Sequence, residues 1–167
     1  EENLGWEWLF GAMIPTGAAC ILSGEGKIAG KSTLIIQMSL CLAAGRSPFY
    51  DCPVSRSART LYVAAEGARA ALQNRIRTAA RSLGIVPEDV SNFWHIQKKS
   101  ANDYMLNGRG LEKMIDQSGA QMVVLDTVGY FHKGNENDNT DWKAHVMHPI
   151  RRLTAKYGCA FVLVDHQ

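Results

Sequence analysis

Leu22-Ser23-Gly24-Glu25-Gly26-Lys27-Ile28-Ala29-Gly30-Lys31-Ser32-Thr33 is the stretch whose reading decides the fold of this chain. An apolar, strand-like run (Ala18-Ala19-Cys20-Ile21-Leu22) precedes it, and an apolar, helix-like run follows from Thr33. A glycine-rich turn that closes on Gly-Lys-Ser at a strand-to-helix junction is the pattern of a phosphate-binding loop. Glycines let successive backbone N–H groups turn toward one anion, and the following helix adds its positive end. Lys31 supplies a point charge for the outer phosphates, and the Ser32 hydroxyl is placed to hold Mg²⁺. The spacing is irregular. The strict pattern calls for glycine at position 25, where the chain has Glu25, with Gly24 one residue beyond reach. The loop has either gained a residue or replaced its first glycine. A one-residue bulge around Lys27-Ile28, keeping Gly30-Lys31-Ser32-Thr33 at the helix start, is the expectation. The phosphate contacts are then expected from Gly24, Gly26, Lys27, Ala29, Gly30, Lys31, Ser32 and Thr33.

A chain of 167 residues and 18.4 kDa suits one domain with a sizeable core. Its 46% hydrophobic and 20% charged content belong to a globular protein rather than a disordered one. The net charge of +2 is too mild to argue for nucleic acid by itself. The four cysteines, Cys20, Cys41, Cys52 and Cys159, form no Cys-x-x-Cys pair and read as reduced thiols, which favours the cytoplasm. No apolar run reaches the length of about 18 residues that a membrane span needs, and the N-terminal residues lack the pattern of a secretory signal. The chain starts without Met and stops at Val164-Asp165-His166-Gln167, straight after a strand-like run. It reads as a piece of a longer protein.

Strand-like and helix-like segments alternate, the pattern of a parallel sheet flanked by helices. Strands are expected at 18–23, 60–65, 93–97, 121–126 and 159–165, and helices at 31–44, 68–83, 109–118 and about 139–157. Gly45 and Gly84 stand where helix C-termini favour glycine. The second helix carries an apolar stripe of Ala68, Leu72, Ile76, Ala79, Ala80 and Leu83. Arg69, Arg77 and Arg81 line one flank of the stripe, and Arg75 lies on the other. The fourth helix shows Trp142, Val146, Ile150, Leu153 and Tyr157 on one face, and Pro149 must kink or divide it.

Asp126 ends the run Gln121-Met122-Val123-Val124-Leu125-Asp126. An acid at the carboxyl end of a buried strand faces the crevice where parallel-sheet proteins bind ligands. Beside a phosphate loop it reads as a Mg²⁺-ordering acid; taken alone it is equally a cap for the next turn. Glu66 follows Leu61-Tyr62-Val63-Ala64-Ala65 and is placed to orient and deprotonate an attacking water. Its plainer role would be an acid favoured by the positive end of the next helix. His166 and Gln167 come after the last strand, where a polar side chain can sense the γ-phosphate, though by position alone a solvated histidine is the simpler reading. His145 and His148 share a helix face without a third ligand at metal-site spacing, so no metal is expected there. Asn135-Glu136-Asn137-Asp138 lacks the glycine and terminal glutamate of a calcium loop. Arg75 is the arginine expected to face a ligand or a neighbouring subunit. The aromatic lead-in Trp6, Trp8 and Phe10 is read as packing.

Taken in order, these features resemble one family. Trp8-Leu9-Phe10-Gly11 and Ile14-Pro15-Thr16-Gly17 precede the phosphate loop. Leu61-Tyr62-Val63-Ala64-Ala65-Glu66, Arg75 and Val123-Val124-Leu125-Asp126-Thr127 follow it, and then Glu136-Asn137-Asp138 and Val162-Leu163-Val164-Asp165-His166. The chain resembles, over nearly its whole length, the RecA-like ATPases of the RepA type, relatives of hexameric replicative helicases found in plasmids, phages and mobile elements. The resemblance implies an α/β RecA-like P-loop NTPase fold, with a lead-in over 1–17 packed on a core over 18–167 that is incomplete at its C-terminus. It implies ATP and Mg²⁺ as ligands. Lys31 and Ser32 become the phosphate-loop lysine and the Mg²⁺ hydroxyl, Glu66 the catalytic glutamate, Asp126 the Walker B acid and metal partner, and His166 the sensor histidine. Arg75 falls near the nucleotide or a subunit interface. A homo-oligomeric ring, hexameric by resemblance, single-stranded DNA as partner and no membrane complete the expectation. The function expected is ATP hydrolysis coupled to DNA unwinding or remodelling in replication. Two rivals stand beside it: a regulatory RecA-like switch without motor activity, and a degenerate module that no longer holds nucleotide.

Overall fold

The computed structural model describes residues 7–25, 30–49, 51–135 and 138–165. Five strands make one parallel sheet: β3 (Ala19–Leu22), β4 (Thr60–Ala64), β5 (Phe93–Gln97), β6 (Met122–Asp126) and β7 (Ala160–Val164). A short antiparallel hairpin, β1 (Trp8–Phe10) and β2 (Ile14–Pro15), precedes them. Three of the five sheet strands are apolar almost throughout, as burial on both faces demands, while apolar β3 is half-exposed at the sheet edge. β4, β6 and β7 are buried at every position. Each lies within a residue of its expected limits.

The sheet order is β3-β7-β6-β4-β5, and every ladder in it is parallel. The register aligns Leu22, Val164, Asp126, Ala64 and Gln97 in one row across the carboxyl edge. All the polar residues that follow the strands therefore emerge along one line. Alternation along the strands divides the interior into two layers. Tyr62, Val124 and Val162 join Ile35, Ile36, Leu40 and Leu72 of helices α1 (Lys31–Ala44) and α2 (Arg69–Ser82). Leu61, Val63, Val123, Leu125, Phe161 and Leu163 pack with Leu111 and Ile115 of α3 (Arg109–Ser118), and with Ile150 and Leu153 of α5 (His148–Tyr157). Helices thus cover both faces.

α1 is buried over most of its length, from Ile35 to Ala43, which explains why its sequence is apolar on every side. α2 buries only Leu72 and Ala79 and leaves Arg69, Arg75, Arg77 and Arg81 exposed. Ile76, Ala80 and Leu83 are half-buried against the same core, whereas Ala68 is exposed. The fourth expected helix is divided, as Pro149 requires. α4 (Asn139–Trp142) runs into a π-helical turn at Lys143–Met147 before α5 begins. Pro149 has no N–H to return to the carbonyl four residues back, and the wider turn just upstream absorbs the mismatch. Asp138 caps α4 by accepting from the N–H groups of Thr140 (2.7 Å) and Asp141 (3.1 Å). Within the lead-in, Leu9, Phe10 and Ile14 are buried with α1, whereas Trp8 is 38% exposed rather than packed, and Trp6 lies outside the described residues. Among the described residues no helix is long and apolar enough to cross a membrane.

Candidate functional site

The carboxyl edge of the sheet opens into a cleft of about 530 Å³ bounded by the start of α1, the ends of β4 and β6, and the inner flank of α2. Gly30, Lys31, Ser32 and Thr33 form one wall, and Glu66, Arg75, Asp126 and Thr127 face them. Seven of the expected site residues, Gly30, Lys31, Ser32, Thr33, Glu66, Arg75 and Asp126, therefore meet at one place. Gly26, Lys27, Ala29 and the proposed bulge at Lys27-Ile28 lie outside the described residues, as does His166.

Helix α1 begins at Lys31, where the Gly-Lys-Ser reading put it, and Gly30 precedes it with φ 68°. That left-handed conformation is costly for any residue with a Cβ. Open space surrounds the position, so the demand for glycine here is one of backbone conformation rather than of room. Lys31 is only 4% exposed. Its Nζ donates to the carbonyl of Gly24 at 2.5 Å, so the lysine folds back along the loop and joins its two ends. Burial directs this ammonium into the loop rather than into bulk water.

Asp126 is 7% exposed at the end of β6. A buried carboxylate needs hydrogen-bond donors, and two are supplied. The Tyr62 phenol donates to Oδ2, and the Thr127 hydroxyl lies 3.5 Å from Oδ1. Ser32, in the first turn of α1, lines the same cleft. Burial, the charge of Asp126 and its hydrogen bond hold the phenol firmly in its protonated form, against the opposing influence of Arg75 and Ser32. The peptide bond between Asp126 and Thr127 is cis.

Glu66 stands two residues beyond the row on β4 and is exposed to the cleft. Gly67, at φ 85°, turns the chain from Glu66 into α2. The Gln97 side-chain amide donates to the carbonyls of Ala64 (3.3 Å) and Glu66 (3.1 Å), pinning this turn from the neighbouring strand. Lys98 follows on β5 and is 9% exposed. It donates to the Tyr130 carbonyl and lies 4.9 Å over the Phe131 ring, which fixes the turn that follows Asp126. Burial lowers its pKa, and nearby Asp103 opposes the shift.

Tyr62, Gln97 and Lys98 were not singled out in the sequence. Gln97 and Lys98 carried the signal that identified Asp126, a polar side chain at the carboxyl end of a strand. Tyr62 carried a weaker one, a hydroxyl within an otherwise apolar buried run. His145 and His148 are apart from the cleft, and no cluster of three or more His, Cys, Asp or Glu fit for a metal occurs among the described residues.

The donors around the cleft floor are hydroxyl and carboxylate oxygens, from Ser32, Asp126 and Thr127. That set suits a hard divalent cation such as Mg²⁺ and not a thiolate- or imidazole-seeking metal. The phosphate-loop helix start and the buried lysine fit the polyphosphate of a nucleotide. Comparison with known families agrees. The family model described as AAA domain matches residues 6–167, and the chain belongs to that family. With the parallel sheet and helix-start lysine, this makes it a nucleotide-binding domain of the phosphate-loop type. No curated protein matches the chain.

Proposed function

We propose that this AAA-domain chain is a RecA-like motor domain of the RepA type that hydrolyses ATP with Mg²⁺. The carrying observation is the convergence of Lys31, Ser32, Glu66, Arg75 and Asp126 on one cleft at the carboxyl edge of the sheet. Mg²⁺ bound near Ser32 and Asp126 would supply neutralising charge for the β- and γ-phosphate oxygens. Lys31 exchanges its neutral partner, the Gly24 carbonyl, for those oxygens. Loop and helix-start amides complete the cradle. Glu66 orients a water in line with the terminal phosphate and accepts its proton as the new P–O bond forms and the bond from the γ-phosphorus to the bridging oxygen breaks, releasing ADP and inorganic phosphate. Gln97 and Gly67 set the turn from which Glu66 acts.

By resemblance, His166 senses the γ-phosphate, and Arg75 faces the nucleotide or the adjoining subunit. The working unit is a homo-oligomeric ring, hexameric by the same resemblance, with residues 1–17 packed on a core formed by 18–167. Hydrolysis is coupled to unwinding or remodelling DNA during replication of a plasmid, phage or mobile element.

The test is steady-state ATP hydrolysis by wild type and Lys31→Ala, each with and without single-stranded DNA. Loss of the buried ammonium is expected to lower turnover about 100-fold or more. Unchanged hydrolysis in Lys31→Ala overturns the reading. Turnover indifferent to DNA replaces the motor with a nucleotide-driven regulatory switch.

A further inference from the structure

The geometry points to Tyr62 as the positioning residue that aims Asp126 at the metal it would share with Ser32, an inference that rests on the ATPase reading above. Ser32 lies in the first turn of α1, whereas Asp126 ends β6, and both line one cleft with Tyr62. Tyr62 belongs to a third element, β4, directly beside β6 in the sheet. Its hydroxyl donates to Asp126, so the carboxylate that lines the cleft together with Ser32 is aimed from β4.

The anchor is rigid. Tyr62 is 0% exposed, and its ring belongs to the apolar cluster that holds Ile36, Leu72 and Val124. An aromatic side chain has only two torsions, and a packed ring fixes its polar tip in space. Removing the hydroxyl deprives a buried carboxylate of its donor. It also frees Asp126 to take other rotamers. Neither change touches Lys31, Gly30 or the loop amides that grip the phosphates. Metal dependence should therefore suffer while metal-free nucleotide binding survives.

The experiment titrates ATP by isothermal calorimetry into wild type and Tyr62→Phe, first with EDTA and then across a Mg²⁺ series. The metal-free dissociation constant is expected to stay within about twofold, while half-saturating Mg²⁺ rises about tenfold. An unchanged Mg²⁺ requirement overturns the proposal. So does a metal-free affinity that falls as far as the metal-supported one, since the role is then a general structural one. Should Tyr62→Phe fail to fold, p-aminophenylalanine at position 62 retains a weaker donor in the same place. It is then expected to raise the Mg²⁺ requirement by a smaller amount, and a wild-type requirement overturns the proposal. A wild-type protein that binds no ATP even with Mg²⁺ overturns the ATPase reading and takes this inference with it. Wild-type Mg²⁺-ATP binding with an unaltered Tyr62→Phe overturns this inference alone.

Discussion

The side-chain amide of Gln97 donates to the backbone carbonyl of Glu66 at 3.1 Å, tying the edge strand β5 to the residue that faces the cleft. A second bond, 3.3 Å to Ala64, makes the carboxamide a clamp across the turn. Gln97→Leu keeps the bulk and removes the clamp. A neutral hydrogen bond contributes roughly 1 kcal/mol net, so turnover should fall about fivefold. The KM for ATP should hardly move, because the phosphate grip lies on α1. Steady-state kinetics checks the split, and an equal change in KM would show that the clamp serves binding instead.

Glu66→Gln preserves size and removes the proton acceptor. Turnover should drop by about 10²–10⁴-fold, the usual range for a general base. Nucleotide affinity measured by calorimetry should remain within a few-fold of wild type. A variant that turns over normally would leave Glu66 as nothing more than an acid at a helix start.

The thiols should separate by burial. Cys20 is half-exposed, whereas Cys41, Cys52 and Cys159 are buried. Burial raises all four, with Cys159 pushed up to about 11. A higher pKa means less thiolate at a given pH and slower alkylation. Iodoacetamide at pH 8 followed by peptide mass spectrometry should label Cys20 first, with Cys159 labelled only after denaturation. Early labelling of Cys159 would contradict the packing of β7.

Glu112 gathers Lys156 at 2.7 Å and Arg152 at 3.2 Å, linking α3 to α5. The hydrogen bonds from Lys156 and then Arg152 lower its pKa from 4.5 to about 2. A carboxylate with a depressed folded-state pKa stabilises the fold above its unfolded value. That contribution is lost as pH falls through the folded value, here between about pH 5 and pH 2. Glu112→Gln should therefore lower the melting midpoint by about 1–2 °C at pH 7 and leave it unchanged near pH 2. Thermal denaturation across that range tests the sign.

The sequence disclosed the parallel α/β plan because its strongest signals are local ones. Lys31 as the first helical residue followed from Gly-Lys-Ser, and Arg109–Ser118 followed from its own periodicity. The hairpin β1–β2 was read only as an aromatic lead-in, because strands of three and two residues give alternation too little length to register. Asp126 and Glu66 could be recognised by their place at strand ends. That they face one cleft depended on the register row, which no local pattern contains. Tyr62 was hidden for the opposite reason: its neighbours announce a buried strand, and burial masks the one polar atom that matters.

The insertion of β7 between β3 and β6 has a consequence for the order of assembly. During synthesis β3 emerges before the rest of the sheet, yet among the described residues its ladder is with β7, the last of the described strands in chain order. Until residues 160–164 leave the ribosome, the sheet can close only around β4, β5 and β6. Until then α1 can rest on β4 and α2, but the strand that leads into the phosphate loop is not yet docked in the sheet. Long-range pairing of this kind is slow compared with local helix formation. Competence to grip a nucleotide would arrive in one late step, as β7 slots in between β3 and β6.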